Sequence, residues 1–176
     1  MKKILRNIIF WVLLILISIS VGIYSKRDSK AKVASKAFGA MLYMILDHSI
    51  SEISVDELAE MKNVTILDAR EPNEFEVSHL QNAINIGYSN FTLNSVAYLD
   101  KDEKFVVYCS VGKRSENIAL KLIEAGFRDV NNLYGGIFEW KNRGQSVYSN
   151  SKETEQVHAY DKVFGIWLTK GEKVFD

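Results

Sequence analysis

Three short, largely apolar runs constrain the fold of this chain more than any other feature: VTIL at 64–67, AINI at 83–86 and FVVY at 105–108. Each is too short for a helix and too continuous for a strand with one wet face, where apolar and polar residues alternate. Such runs suit strands buried on both faces. Helical signals lie between and around them. Ser54 followed three residues later by Glu57 is a capping box, and it predicts a short helix from Val55 that buries Leu58 and Met61. After the third run a helix is expected with Ile118, Ala119, Leu122 and Ile123 inward and Gly126 as its stop. A further strand is expected over 130–133, and then YGGIFEWKNRG reads as a Gly-Gly turn and a short helix ending at Gly144. Short buried strands separated by helices predict an α/β domain, a parallel sheet covered on both faces.

The flanks of this domain have a different character. The uncharged run IIFWVLLILISISVGIY at 8–24 has Lys2, Lys3 and Arg6 before it and Lys26, Arg27 and Lys30 after it. It is long enough to span a bilayer and reads as a transmembrane anchor. A cleaved signal peptide shares the basic start and apolar centre, but its apolar core is usually about 7–15 residues and ends at small residues such as Ala-x-Ala. Basic residues on both sides leave the side of the membrane open. The chain thus divides into an anchor or signal segment at 1–25, a basic linker with an amphipathic helix at 26–49, the α/β domain at 50–145 and an extension at 146–176. In the linker, Phe38, Met41, Leu42, Ile45 and Leu46 make one apolar face. In the extension, Tyr160, Val163, Phe164 and Trp167 recur at helical spacing, which predicts a helix docked on the domain with Gly171 as its stop. His158, just before it, reads as a surface or capping residue.

With 22 Lys and Arg against 22 Asp and Glu, the chain has no broad attraction for nucleic acid. His48, His79, His158 and the single cysteine, Cys109, lie far apart in sequence without metal-ligand spacing. Function must therefore come from a local site. Cys109 directly follows FVVY and precedes Gly112, Lys113 and Arg114. A parallel strand that feeds a loop and then a helix aims that loop at the carboxyl edge of the sheet, where open α/β folds bind ligands. Backbone N–H groups of a tight turn at a helix N-terminus make an anion-binding concavity, and Gly112 permits the backbone conformation such a turn requires. With two cations adjacent, the loop is expected to be exposed and electropositive and to favour the thiolate, the nucleophilic form. A lone cysteine at a strand end also occurs as a small buried hydrophobe.

Three blocks carry a resemblance: LDAREPNEFEVSHLQNAINI at 67–86, VVYCSVGKRSENIALKLIEAGF at 106–127 and NLYGGIFEWKNRG at 132–144. In order and spacing they resemble the signature blocks of rhodanese-like domains, over about residues 50 to 145. The resemblance implies a central parallel sheet of about five strands with helices on both faces, and a cysteine that carries transferable sulfur as a persulfide. Residues Ser110, Val111, Gly112, Lys113, Arg114 and Ser115 would form the anion-binding loop. Asp68, Arg70 and Glu74, in the LDxR block and just after it, would brace that loop, and His79 would be structural. The span from Cys109 to Arg114 is the six residues of sulfurtransferases rather than the Cys-x5-Arg loop of the related phosphatases, whose wider turn takes a tetrahedral oxyanion. Ser78 stands where the family usually has Gly, Gln81-Asn82 replaces a Pro-Gly-like turn, and Ser110 stands where thiosulfate enzymes often carry Arg.

The activity implied is sulfurtransfer. The Cys109 thiolate would take sulfur from thiosulfate or a persulfide and pass it to a thiol or cyanide, with no metal or organic cofactor. The partners implied are a small sulfur-donor anion or persulfide, a thiol acceptor and, through 8–24, a membrane. The alternative is a membrane-tethered, non-catalytic interaction or sulfur-carrier module on the same fold.

Overall fold

The computed structural model describes residues 33–176. The apolar run at 8–24 and the basic residues before 33 lie outside them. Among the described residues no helix is long and apolar enough to cross a membrane.

The strands are β1 Ser51–Ile53, β2 Val64–Asp68, β3 Ile84–Asn85, β4 Lys104–Tyr108 and β5 Asp129–Leu133. They form one parallel sheet in the order β1-β5-β4-β2-β3. Strand β4 lies at its centre, which explains FVVY. Side chains alternate between faces along a strand. Phe105 and Val107 join the apolar cluster on one face while Val106 and Tyr108 point to the other, and all four are fully buried. The AINI run shrinks to a two-residue strand because β3 is the sheet edge, where only one side pairs. β1, which has no apolar run, forms the opposite edge on β5.

The helices are α1 Lys36–Ile45, α2 Val55–Glu60, α3 Pro72–Val77, α4 Lys113–Glu124 and α5 Gly136–Asn142. Helix α2 begins with the expected capping box, Glu57 N donating to Ser54 Oγ at 3.2 Å and Ser54 N to Glu57 Oε2 at 2.8 Å. Its Leu58 is buried, while Met61, just past its end, is half-buried. Helix α4 packs Ile118, Ala119 and Leu122 on the sheet. Ile123, expected inward, lies at the margin of that stripe and is 39% exposed. Of the linker face, Phe38, Leu42 and Leu46 are buried on the domain.

The extension differs most from the sequence expectation. It forms a hairpin of β6 Val147–Ser149 and β7 Lys152–Thr154, and then a parallel pair of β8 Gln156–His158 and β9 Glu172–Val174. Asn150 and Ser151, both at positive φ, make the two-residue turn that such hairpins require. The expected helix over Tyr160 to Trp167 is a single 3-10 turn, Phe164–Trp167, and Val163 is 72% exposed. The turn cannot lengthen because the chain must return to pair β9 with β8. Asn142 fixes that return, its Oδ1 accepting from Thr169 N at 2.7 Å and Lys170 N at 3.2 Å. Docking is nonetheless firm: Leu168, Val157 and Ala159 are fully buried, and Trp167 stacks on Phe38 at 5.5 Å. His79 and Tyr148 exchange backbone hydrogen bonds at 2.9 Å, tying the hairpin to the domain. Leu168→Ala should therefore lower the stability of the whole domain by about 2–5 kcal/mol in urea unfolding. A loss near zero would mean that the extension is not part of the cooperative unit.

Candidate active site

Strand β4 ends at Tyr108 and delivers Cys109 to the carboxyl edge of the sheet, as its sequence position implies. The expected exposure is corrected: Cys109 is 1% exposed, and Ser110, Val111, Gly112 and Ser115 are buried with it. The loop is enclosed because helix α5 lies against it. Ile137 N donates to the Cys109 carbonyl at 2.9 Å and Phe138 N to that of Ser110 at 3.1 Å. This contact needs Gly136, which sits at φ +56°; a Cβ there would lie 2.3 Å from the Cys109 oxygen.

Within the loop, Gly112 N donates to Cys109 Sγ at 3.1 Å, with Gly112 at φ +117° as the N-terminal cap of α4. The N–H groups of Lys113, Arg114 and Ser115 form the first turn of that helix, where no intrahelical acceptor exists. The sulfur is thus held at the positive end of a twelve-residue helix. Ser115 Oγ donates to Asn132 Oδ1 at 2.7 Å, and Asn132 Nδ2 donates to the Gly112 carbonyl at 3.0 Å, which fixes the turn from β5.

The two cations of the loop do not face it freely. Lys113 Nζ is 2.5 Å from Asp47 Oδ2 and 3.5 Å from the buried Glu116, and the Asp47 hydrogen bond raises its pKa. Arg114 makes a two-pronged pair with Glu74, Nη1 to Oε2 at 2.5 Å and Nη2 to Oε1 at 2.8 Å. Arg114 Nη2 also donates to Ser110 Oγ at 2.9 Å, and Ser110 Oγ donates to Glu74 Oε1 at 3.2 Å. Burial opposes ionisation of Glu74, but the hydrogen bonds and charge of Arg114, helped by Arg70, outweigh it and hold the carboxyl below its ordinary value of 4.5.

Behind Glu74 lies a buried pair. Arg70 Nη2 donates to Asp68 Oδ2 at 2.6 Å and to the Ser78 carbonyl at 2.6 Å, and Nη1 donates to the Glu74 carbonyl at 3.3 Å. Burial opposes the charge of Arg70, and Asp68 more than restores it. Asp68 and Arg70 therefore brace the helix that carries Glu74. His79 is placed elsewhere: its ring stacks on Phe75 at 3.8 Å, and its Nδ1 lies 3.0 Å from the Phe75 carbonyl.

Strand β8 packs on α3 and brings to the site residues outside the set predicted from the sequence. His158, read as a surface or capping residue, is buried, with Nδ1 4.0 Å from Glu74 Oε1 and Nε2 3.2 Å from Asp176 Oδ1. The Tyr160 ring lies 4.8 Å from the Arg114 guanidinium. Arg114, Glu74, His158, Tyr160 and Asp176 line a cleft of about 550 Å³ that meets the loop at Arg114. No spacing in the sequence links this strand to Cys109. The signal for Gly136, in contrast, was present in the Gly-Gly pair.

The rhodanese-like domain family model matches residues 53–143, just over half of the chain. The chain belongs to the rhodanese-like domain family. It is similar to the thiosulfate sulfurtransferase GlpE of Shewanella oneidensis, 37% identical over 95 residues that span 52% of this chain and 93% of that protein. It is also similar to the tRNA uridine(34) hydroxylase of Aster yellows witches'-broom phytoplasma, 31% identical over 124 residues, 64% of this chain and 38% of that one. Among solved structures, a rhodanese-like domain protein from Staphylococcus aureus superposes with a TM-score of 0.51 at 27% identity, covering 58% of this chain and 100% of that chain.

Two outcomes follow from the geometry. Gly136→Ala should destabilise the domain by about 2 kcal/mol or more, because the clashing atom is backbone and the φ disfavours a side chain; an unchanged Tm would contradict the contact. Because the folded pKa of Glu74 is depressed, its contribution to stability is complete above the ordinary carboxylate value and lost as pH falls through the lowered one. The Tm difference between wild type and Glu74→Gln should shrink as pH falls below the ordinary value of 4.5. A difference that stays constant as pH falls through the acid range would contradict the ion pair.

Proposed function

We propose that the protein is a sulfurtransferase that moves sulfane sulfur through a persulfide on Cys109. The observation that carries this reading is the 3.1 Å contact from Gly112 N to Cys109 Sγ, inside a six-residue turn that ends at the N-terminus of α4. That arrangement stabilises a negatively charged sulfur without a metal. The relatives named thiosulfate sulfurtransferase, covered over most of their length, support the same reading. The match to the tRNA hydroxylase spans little more than a third of that protein and supports only the domain in common.

In the first half-reaction the Cys109 thiolate attacks the outer sulfur of the donor. A bond forms between Sγ and that sulfur while the sulfur–sulfur bond of the donor breaks, and the leaving group departs with the electron pair, as sulfite from thiosulfate or as thiolate from an organic persulfide. In the second, an acceptor thiolate or cyanide attacks the terminal sulfur and the Cys109 thiolate leaves. Sulfur oxidation states are exchanged between partners, so no external oxidant is needed. The first-turn N–H groups of α4 hold the anionic persulfide between the two steps. The cleft meets the loop at Arg114, and on this reading a donor approaches the enclosed sulfur from that side. On the same reading residues 8–24 tether the domain to a membrane, a placement supported by their uncharged run and basic flanks.

Purified full-length protein given cyanide and a sulfane donor should form thiocyanate with ping-pong kinetics, and Cys109→Ser should abolish it. Undiminished turnover in Cys109→Ser, or no sulfur uptake from any donor by wild type, would overturn the reading.

A further inference from the structure

Both cations of the cysteine loop are paired with carboxylates of the same domain. Lys113 turns outward to Asp47, and Arg114 is gripped on two nitrogens by Glu74, whose side chain is only 4% exposed. The guanidinium is further committed by its donation to Ser110 Oγ and by the Tyr160 ring beside it. Among the described residues, the neighbouring cleft is lined by no Lys and by no Arg besides Arg114, and its walls carry the carboxylates of Glu71, Glu74 and Asp176. His158 there accepts Tyr160 N at Nδ1 at 3.1 Å and lies between Glu74 and Asp176. A dianion approaching Cys109 from the cleft therefore meets carboxylates first and finds Arg114 occupied.

We propose that Glu74 is the selectivity residue of this site: by holding Arg114 it excludes dianionic donors such as thiosulfate and leaves Cys109 to organic persulfides. This rests on the sulfurtransferase reading and names its donor class. An organic persulfide, R–S–SH, brings its sulfur without a sulfonate group, so it needs no free cation. The Cys109 thiolate takes the terminal sulfur as the R–S to S bond breaks. The R–S⁻ group leaves with the electron pair, and the proton of the donor passes to it. Glu74 is a positioning residue in this scheme, since it acts only through Arg114.

The test compares wild type with Glu74→Gln, which keeps the shape and removes the charge, and with Glu74→Met as a second neutral substitution should the first melt early. Thiosulfate and cysteine persulfide are the donors, and sulfate serves as a non-reactive dianion whose binding is read by protection of Cys109 from alkylation. In either neutral variant the kcat/KM ratio of thiosulfate to cysteine persulfide should rise about tenfold or more, chiefly through the KM for thiosulfate, and sulfate should bind correspondingly tighter. Glu74→Asp, which keeps the charge, should show a smaller gain, and adding Arg114→Gln to Glu74→Gln should remove it. An unchanged ratio with unchanged sulfate binding, or a gain that survives loss of Arg114, would overturn the role of Glu74 while leaving sulfurtransfer intact. Absence of sulfur uptake from both donors in every variant would overturn the sulfurtransferase reading itself, and sulfate binding would still decide whether Glu74 screens Arg114.

Discussion

The backbone of helix α5 pressed against the Cys109–Ser110 peptide is the constraint on which the site depends. Two N–H groups, of Ile137 and Phe138, hold the two carbonyls that open the loop, and Gly136 leaves the space for them to do so. With its first two residues held, the chain turns sharply at Gly112 and enters α4, so the Gly112 N–H meets the sulfur. The enclosure follows from the same contact. A helix seated on the loop excludes water, and fixed N–H groups act more strongly on charge in a water-poor site.

Charge in the surrounding shell is arranged in pairs rather than left free. Asp68 with Arg70 is wholly buried and holds helix α3, which in turn presents Glu74 to Arg114. A buried pair of this kind adds little net stability over an apolar core, yet breaking one partner is costly. Its effect here is geometric: it determines where Glu74 stands. The extension then closes the far side, with His158 and Tyr160 brought beside Glu74 and Arg114 by β8. The two cations of the loop, Lys113 and Arg114, are thereby each paired with a carboxylate in the folded chain.

The strands and helices that position Cys109 were legible because each is local. FVVY is continuous because β4 is buried on both faces, and the Ser54–Glu57 box and Gly126 mark helix ends by their own hydrogen bonds. What was not legible depends on distant partners. Burial of Cys109 comes from Gly136 and α5, and the loss of free charge comes from Asp47 and Glu74, neither adjacent in sequence. The C-terminal segment misled for a physical reason: Tyr160, Val163, Phe164 and Trp167 carry a helical period, but pairing of β9 with β8 requires the chain to turn back after one 3-10 turn. His158, with no periodic or motif signal, acquired its place from that pairing alone.

The most direct measurement is the mass of the intact protein, isolated under conditions that preserve persulfides and then treated with cyanide. The expected result is a fraction of molecules heavier by one sulfur atom, the addition mapping to the Cys109 peptide and removed by cyanide. Protein that never carries the extra sulfur, even after exposure to organic persulfide, or that carries it at no site involving Cys109, would contradict the reading of this loop as a persulfide cradle.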